Sequence, residues 1–165
     1  TPQQGLIWPI GGKYTTARCD AAQVVDAVYA MLEKPGPVSL THRYPLPGAP
    51  VGTREGSVTL GDFTGWQTEA IGGLLRRGLD RDIAESLTLR HGTRISAIAA
   101  LLDEQARWSA RLIPDAPFIE AEVILAVREE GARTLDDVIR RRMPLALLAR
   151  PGNWIKRVEQ LLAAA

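Results

Sequence analysis

The sequence predicts a mainly α fold: a compact helical domain of about six helices, preceded by one short strand and a glycine turn. Three observations predict it. Apolar residues recur at helical spacing through most of the chain. Capping residues, glycines and prolines punctuate those runs at helix-length intervals. Leu6 to Ile10 is the clearest strand-like run of the N-terminal part, and no partner strand is recognisable for it.

Taken in order, Leu6-Ile7-Trp8-Pro9-Ile10 reads as a strand that leads into Gly11-Gly12-Lys13. Thr15 or Thr16 then caps a helix running to about Lys34, with Val24, Val25, Val28, Met31 and Leu32 at helical spacing. Pro35-Gly36-Pro37 stops it. Residues 38 to 60 are rich in proline and glycine and read as an extended loop around Tyr44-Pro45-Leu46-Pro47-Gly48. A helix from Gly65 to Arg77 ends at Gly78, and Asp80 caps the next, which ends at Gly92. Thr93 caps a helix carrying Ile95, Ile98, Leu101 and Leu102. After Pro114 and Pro117, Phe118 to Gly131 forms another, with Val123, Ile124 and Val127 inward. Thr134-Leu135-Asp136-Asp137 resembles a capping box for a helix through Arg142. Pro144 and Pro151 interrupt again, and Trp154 to Leu162 is the last amphipathic helix. The domain reading is 1–34, a connecting loop 35–60, and a helical domain 61–165.

Composition bounds the function. The chain has 165 residues, 45% hydrophobic and 24% charged, which suits one soluble core. A net charge of +1 gives no general pull toward nucleic acid. Cys19 is the single cysteine, so no internal disulfide can form, which suits a reducing compartment. No apolar run approaches the ~18 residues of a membrane span.

A strand, two glycines, a lysine and a helix start make a natural place for an anion. Glycine lets a ligand approach the backbone, and the helix N-terminus adds positive potential to that of Lys13. A Walker loop would need a glycine where Ile7 stands, and the Gly-x-Gly-x-x-Gly dinucleotide fingerprint is absent. An ordinary strand-to-helix turn has the same spacing. The chain also starts at Thr1 without methionine. With a strand lacking partners, it is expected to be a piece of a longer protein whose sheet lies upstream.

Gly11-Gly12-Lys13-Tyr14-Thr15-Thr16-Ala17-Arg18 resembles the glycine-glycine-lysine-x-threonine-threonine-x-arginine segment of FAD-dependent glycerol-3-phosphate dehydrogenases. Leu46-Pro47-Gly48 is similar to their leucine-proline-glycine loop. Arg90-His91-Gly92-Thr93-Arg94 is similar to their tyrosine-glycine-x-arginine turn, with His91 in the tyrosine's place. Ala121-Glu122-Val123 through Arg140-Arg141-Arg142 is the longest match, and the four segments occur in the family's order. Ala17, and Met143-Pro144 after the arginines, depart from the usual pattern.

The resemblance implies the helical C-terminal domain of such an enzyme, with the end of the flavin domain still attached. In that family a hydride passes from C2 of glycerol 3-phosphate to the flavin, and electrons go on to quinone or oxygen. It implies that Gly11, Gly12, Lys13, Thr15 and Thr16 bind cofactor, that Lys13 also meets substrate, and that no catalytic residue lies in this stretch. Partners implied are an upstream FAD-binding domain, glycerol 3-phosphate and a peripheral contact with the inner face of the cell membrane. FAD is expected in the parent and not bound to this stretch, which alone is expected to be inactive. Localisation is expected to be cytoplasmic, and the pattern sets no oligomeric state.

Other residues carry plainer readings. Arg18 is expected in an ion pair, and His42 and His91 as solvated or core histidines without metal-ligand spacing. Asp136 to Arg140 and Asp137 to Arg141 are i,i+4 pairs. Trp66, Trp108 and Trp154 read as core or interface anchors. Leu87 to Leu102 loosely resembles a helix-turn-helix, but Ile95-Ser96-Ala97-Ile98 offers no base-reading set, so nucleic acid is not expected. A helical module of another flavin oxidoreductase, docking through basic, amphipathic Trp154-Ile155-Lys156-Arg157-Val158, is the competing reading. Packing of that helix on the bundle fits the same pattern.

Overall fold

The structure, a computed structural model, describes residues 5–44, 46–49 and 60–165, with Leu60 and Gly61 by backbone alone. The chain divides into two units, residues 1–45 and 46–165. In the described residues seven α-helices occur, one in the first unit and six in the second.

In the first unit, residues 6–13 have no regular structure. The strand expected over Leu6–Ile10 is not formed, because a strand needs a neighbour to satisfy its backbone and none is present among the described residues. A single 3₁₀ turn, Tyr14–Thr16, runs directly into α1, Ala17–Met31. The helix is real but buries none of its residues, so the apolar set Val25, Val28, Met31 and Leu32 stays exposed.

The second unit holds the core. Its helices are α2 (Leu60–Arg76), α3 (Arg81–His91), α4 (Ile95–Glu104), α5 (Glu120–Arg128), α6 (Leu145–Leu148) and α7 (Trp154–Ala164). α2 packs on α3, α4 on α5, and α5 on α7. α5 is the central rod: every residue from Glu120 to Ala126 is buried, as its nearly continuous apolar run requires. α7 shows the opposite pattern. Trp154, Val158 and Leu161 line one buried stripe at i, i+4 and i+7, and the rest of the helix meets solvent or its edge. Its apolar face is therefore spent on the bundle, and docking through Trp154–Val158 loses the surface it required. Trp108 is buried in the core, while Trp66 is half-buried against it and against Phe63, ring centroids 5.6 Å apart.

Several boundaries differ from the sequence reading, each for a local reason. α2 begins at Leu60, five residues early, and Phe63 joins Trp66 in its first turns. The Thr134 signal is correct: Asp137 N–H donates to Thr134 Oγ1 at 3.2 Å and Thr134 N–H to Asp137 Oδ2 at 2.9 Å. The segment that follows, Asp137–Arg142, is π-helical, closed by Met143 N–H to the Val138 carbonyl at 2.7 Å. Between Pro144 and Pro151 the chain still makes one turn, α6, whose Leu145 is buried. The described residues contain no strand, only a lone antiparallel bridge between Arg111 and Ile119. No helix among them is long and apolar enough to cross a membrane.

Candidate functional site

In the first unit, the glycine-lysine turn is an open, exposed surface. Gly11, Gly12, Lys13, Thr15 and Thr16 are all exposed. Lys13 is extended (φ −108°, ψ 122°) at the N-cap of the 3₁₀ turn. A Cβ placed on Gly12 would meet nothing within 4 Å. Residues 7 to 11 run beside Asp20, Gln23, Val24 and Ala27 of α1, leaving a shallow groove of about 230 Å³.

Thr16 occupies the N-cap of α1, but its side chain caps no helical amide. The hydroxyl lies 3.1 Å from the Lys13 carbonyl and 2.9 Å from Asp20 Oδ2. The expected cap is thus replaced by a bond back into the turn, reinforced by Thr16 N–H to the same Lys13 carbonyl at 3.2 Å. Arg18 also departs from expectation. Among the described residues it reaches Thr41 Oγ1 at 3.5 Å and Cys19 Sγ at 3.3 Å, not a carboxylate.

In the second unit, three of the sequence motifs converge on one junction. The Leu46–Ala49 strap lies on the turn between α3 and α4: Thr93 N–H donates to the Gly48 carbonyl at 2.9 Å, and Thr93 Oγ1 to the Ala49 carbonyl at 3.3 Å. Thr93 therefore binds the strap and does not cap α4, which starts after a 3₁₀ turn at Gly92–Arg94. Gly48 (φ +90°) and Gly92 (φ +55°) face each other, and a Cβ on Gly92 would overlap the Gly48 carbonyl.

Beneath the turn, Glu122 is buried on α5, and both of its carboxylate oxygens are hydrogen-bonded. Its Oε1 accepts from Arg90 Nε at 2.9 Å and pairs with His91 Nε2 at 2.9 Å, and its Oε2 accepts the Ile119 amide at 3.0 Å. Arg90 also donates to the Pro117 carbonyl at 2.7 Å, contacts Ser86 Oγ, and stacks 4.3 Å over the Phe118 ring. His91 is thus a core histidine with a carboxylate partner. Arg94 completes the junction with ion pairs to Glu129 and Glu130, and Arg142 donates to the Glu130 carbonyl at 2.9 Å. Glu122 escaped the sequence reading. The signal was present: a lone carboxylate inside Ala121-Glu122-Val123-Ile124-Leu125-Ala126 on a buried helix must find cations.

Elsewhere the charged groups brace helices. Arg111 bonds both Asp80 and Asp82 at 2.6–2.8 Å, which raises its own affinity for the proton and holds the Asp82 carboxyl below the usual carboxylate range. Asp80 is accordingly the N-cap of α3 without a capping side-chain bond. Arg157 bonds Glu120 through two nitrogens at 2.6 and 2.8 Å, an arrangement that ties α7 to α5. Asp136 pairs with Arg140 and Asp137 with Arg141, as the i,i+4 spacing implied. Among the described residues no three His, Cys, Asp or Glu side chains are placed to hold a metal ion.

These features define a helical domain knitted by arginine–carboxylate bonds, joined in sequence to an open glycine-lysine turn. A family model for the C-terminal domain of alpha-glycerophosphate oxidase matches residues 39–165, and the chain belongs to that family. It is 34% identical over 146 residues to a glycerol-3-phosphate dehydrogenase of Synechocystis sp., covering 87% of this chain and 24% of that protein. It is 32% identical to a probable mitochondrial glycerol-3-phosphate dehydrogenase of Dictyostelium discoideum, covering 88% of this chain and 21% of the relative. Glycerol-3-phosphate dehydrogenase 2 of Mycobacterium tuberculosis is 30% identical, with 88% and 23% covered. The chain thus spans about a quarter of the length of these relatives. No solved structure matches it.

Proposed function

We propose that this chain serves as the C-terminal domain of an FAD-dependent glycerol-3-phosphate dehydrogenase that oxidises sn-glycerol 3-phosphate to dihydroxyacetone phosphate. The family match over residues 39–165 carries the reading. It gains support from the convergence of three family-like motifs on one junction, since residues far apart in sequence are explained together.

Bound flavin would accept the hydride and pass the electrons on to quinone. The residues at the glycine turn fit such a neighbour. Gly11 and Gly12 present bare backbone, Gly12 has open space around it, and Lys13 is an exposed cation ahead of a helix start. In this reading Gly11 and Gly12 admit the ring system, Lys13 meets negative charge on substrate or reduced ring, and Thr15 adds a hydroxyl donor. The Thr16 hydroxyl is directed at the Lys13 carbonyl and Asp20, and fixes the turn from which Lys13 projects. The upstream part of the protein supplies the flavin fold and the proton-accepting group, so the 165-residue chain alone is colourless and inactive. The enzyme works in the cytoplasm, in peripheral contact with the inner face of the cell membrane through a surface other than the buried face of α7.

Steady-state kinetics of the full-length protein with glycerol 3-phosphate and a dye acceptor test the reading. Lys13→Ala is expected to lower turnover by about 10²-fold, the scale for losing one charge-stabilising donor. Lys13→Arg is expected to rescue little, because a planar fork does not replace a compact ammonium. Near-normal turnover in Lys13→Ala would remove Lys13 from the site.

A further inference from the structure

Asp20 belongs to none of the motifs, yet it touches the glycine-lysine turn at two points. Its Oδ2 is 2.9 Å from Thr16 Oγ1, and that hydroxyl also lies 3.1 Å from the Lys13 carbonyl. The same Oδ2 would stand 3.2 Å from a Cβ on Gly11, so the carboxylate lies against the bare face of that glycine. One side chain from the first turn of α1 thus borders the turn at Gly11 and, through Thr16, at Lys13. We propose that Asp20 is a positioning residue for the Gly11–Lys13 turn; the inference rests on the dehydrogenase reading above and deepens it.

A plainer role is available for an acid in the first turn of a helix, where it complements the positive helix end. That role accounts for neither the Thr16 bond nor the contact with Gly11. It also predicts a different result. A helix-end charge changes stability and leaves turnover per bound flavin alone. A positioning residue changes how well Lys13 is aimed, because small displacements of a charge-stabilising group cost rate without loss of binding.

The test uses the full-length flavoprotein and the 165-residue chain in parallel. In the flavoprotein, Asp20→Ala is expected to lower kcat per bound flavin by about tenfold, with KM within about twofold. Asp20→Asn keeps an oxygen for the Thr16 hydroxyl and the same volume against Gly11, and is expected to restore kcat to within about twofold of wild type. Thr16→Val removes the hydroxyl that lies between Asp20 and the Lys13 carbonyl, so it is expected to lower kcat at least as far as Asp20→Ala, with the double variant no worse than Thr16→Val alone. Unchanged kcat in Asp20→Ala, or an Asn variant as slow as the Ala variant, overturns the proposal. If wild type does not oxidise glycerol 3-phosphate, the dehydrogenase reading fails, and the second arm decides the positioning role by itself. In that arm, ¹⁵N relaxation of the 165-residue chain should show Gly11, Gly12 and Lys13 amides dropping to order parameters below about 0.6 in Asp20→Ala and holding in Asp20→Asn. Equal order in all three proteins overturns it.

Discussion

The Thr93 amide donates to the Gly48 carbonyl across 2.9 Å, and the backbones meet there because neither Gly48 nor Gly92 carries a side chain. The strap contributes little burial of its own, since Leu46 stays exposed. Its hold on the turn between α3 and α4 rests on two hydrogen bonds and a glycine–glycine contact, a modest sum in which each bond counts for about 1 kcal/mol.

Gly92→Ala is therefore expected to unseat the strap. The new Cβ overlaps the Gly48 carbonyl and sits at φ +55°, for a cost of about 1–3 kcal/mol. Amide exchange at Thr93 should accelerate, and a denaturant midpoint should fall by a corresponding amount. Unchanged Thr93 exchange would show that the contact is dispensable.

Glu122→Gln is expected to be among the more damaging single-atom changes in the second unit. It leaves Arg90 and His91 around a neutral amide in a buried position. Removing one member of a buried charged cluster costs about 3–5 kcal/mol, with the surviving amide oxygen holding the effect near the lower end. Urea unfolding with an unchanged m-value would measure it, and a loss under about 1 kcal/mol would show that the Glu122 charge does not hold the junction together.

Asp137 supplies a pH signature. Its carboxylate accepts the Arg133 and Thr134 amides and faces Arg141, which holds its proton affinity far below the usual carboxylate range. A depressed folded-state value stabilises the fold above the unfolded value near 3.9 and is lost as pH falls toward the folded one. Asp137→Asn should lower the melting temperature at pH 7, and the gap to wild type should narrow steadily below about pH 4. A gap independent of pH would mean that the charge is idle.

Two leucines give a contrast in packing. Leu87 is fully buried on α3, and Leu87→Ala should cost about 2–5 kcal/mol. Leu147 projects from α6 with 88% of its surface exposed, and Leu147→Ala should stay within about 0.5 kcal/mol of wild type. Chemical denaturation of both variants reads the difference directly.

The sequence by itself determined the helices and most of their limits. Apolar spacing in Val123–Val127 and Trp154–Leu162, the Thr134–Asp137 cap and the Gly78 stop are local signals, and local backbone and solvation preferences act on them without help from distant residues. It also marked the family, because the four motifs keep their order. What only the tertiary structure decided is what the polar side chains do. Thr16, Asp80 and Thr93 all stand where a cap is expected, yet each spends its oxygen on a closer partner: Lys13 and Asp20, Arg111, and Ala49. Glu122 is charged in sequence and buried in space, which becomes tolerable only when Arg90 and His91 arrive from 32 and 31 residues away. Hydrogen-bond partners are chosen by distance in the folded chain, and a one-dimensional pattern holds no measure of it. The missing Leu6–Ile10 strand teaches the same lesson from the other side, since β structure exists only where a second strand completes it.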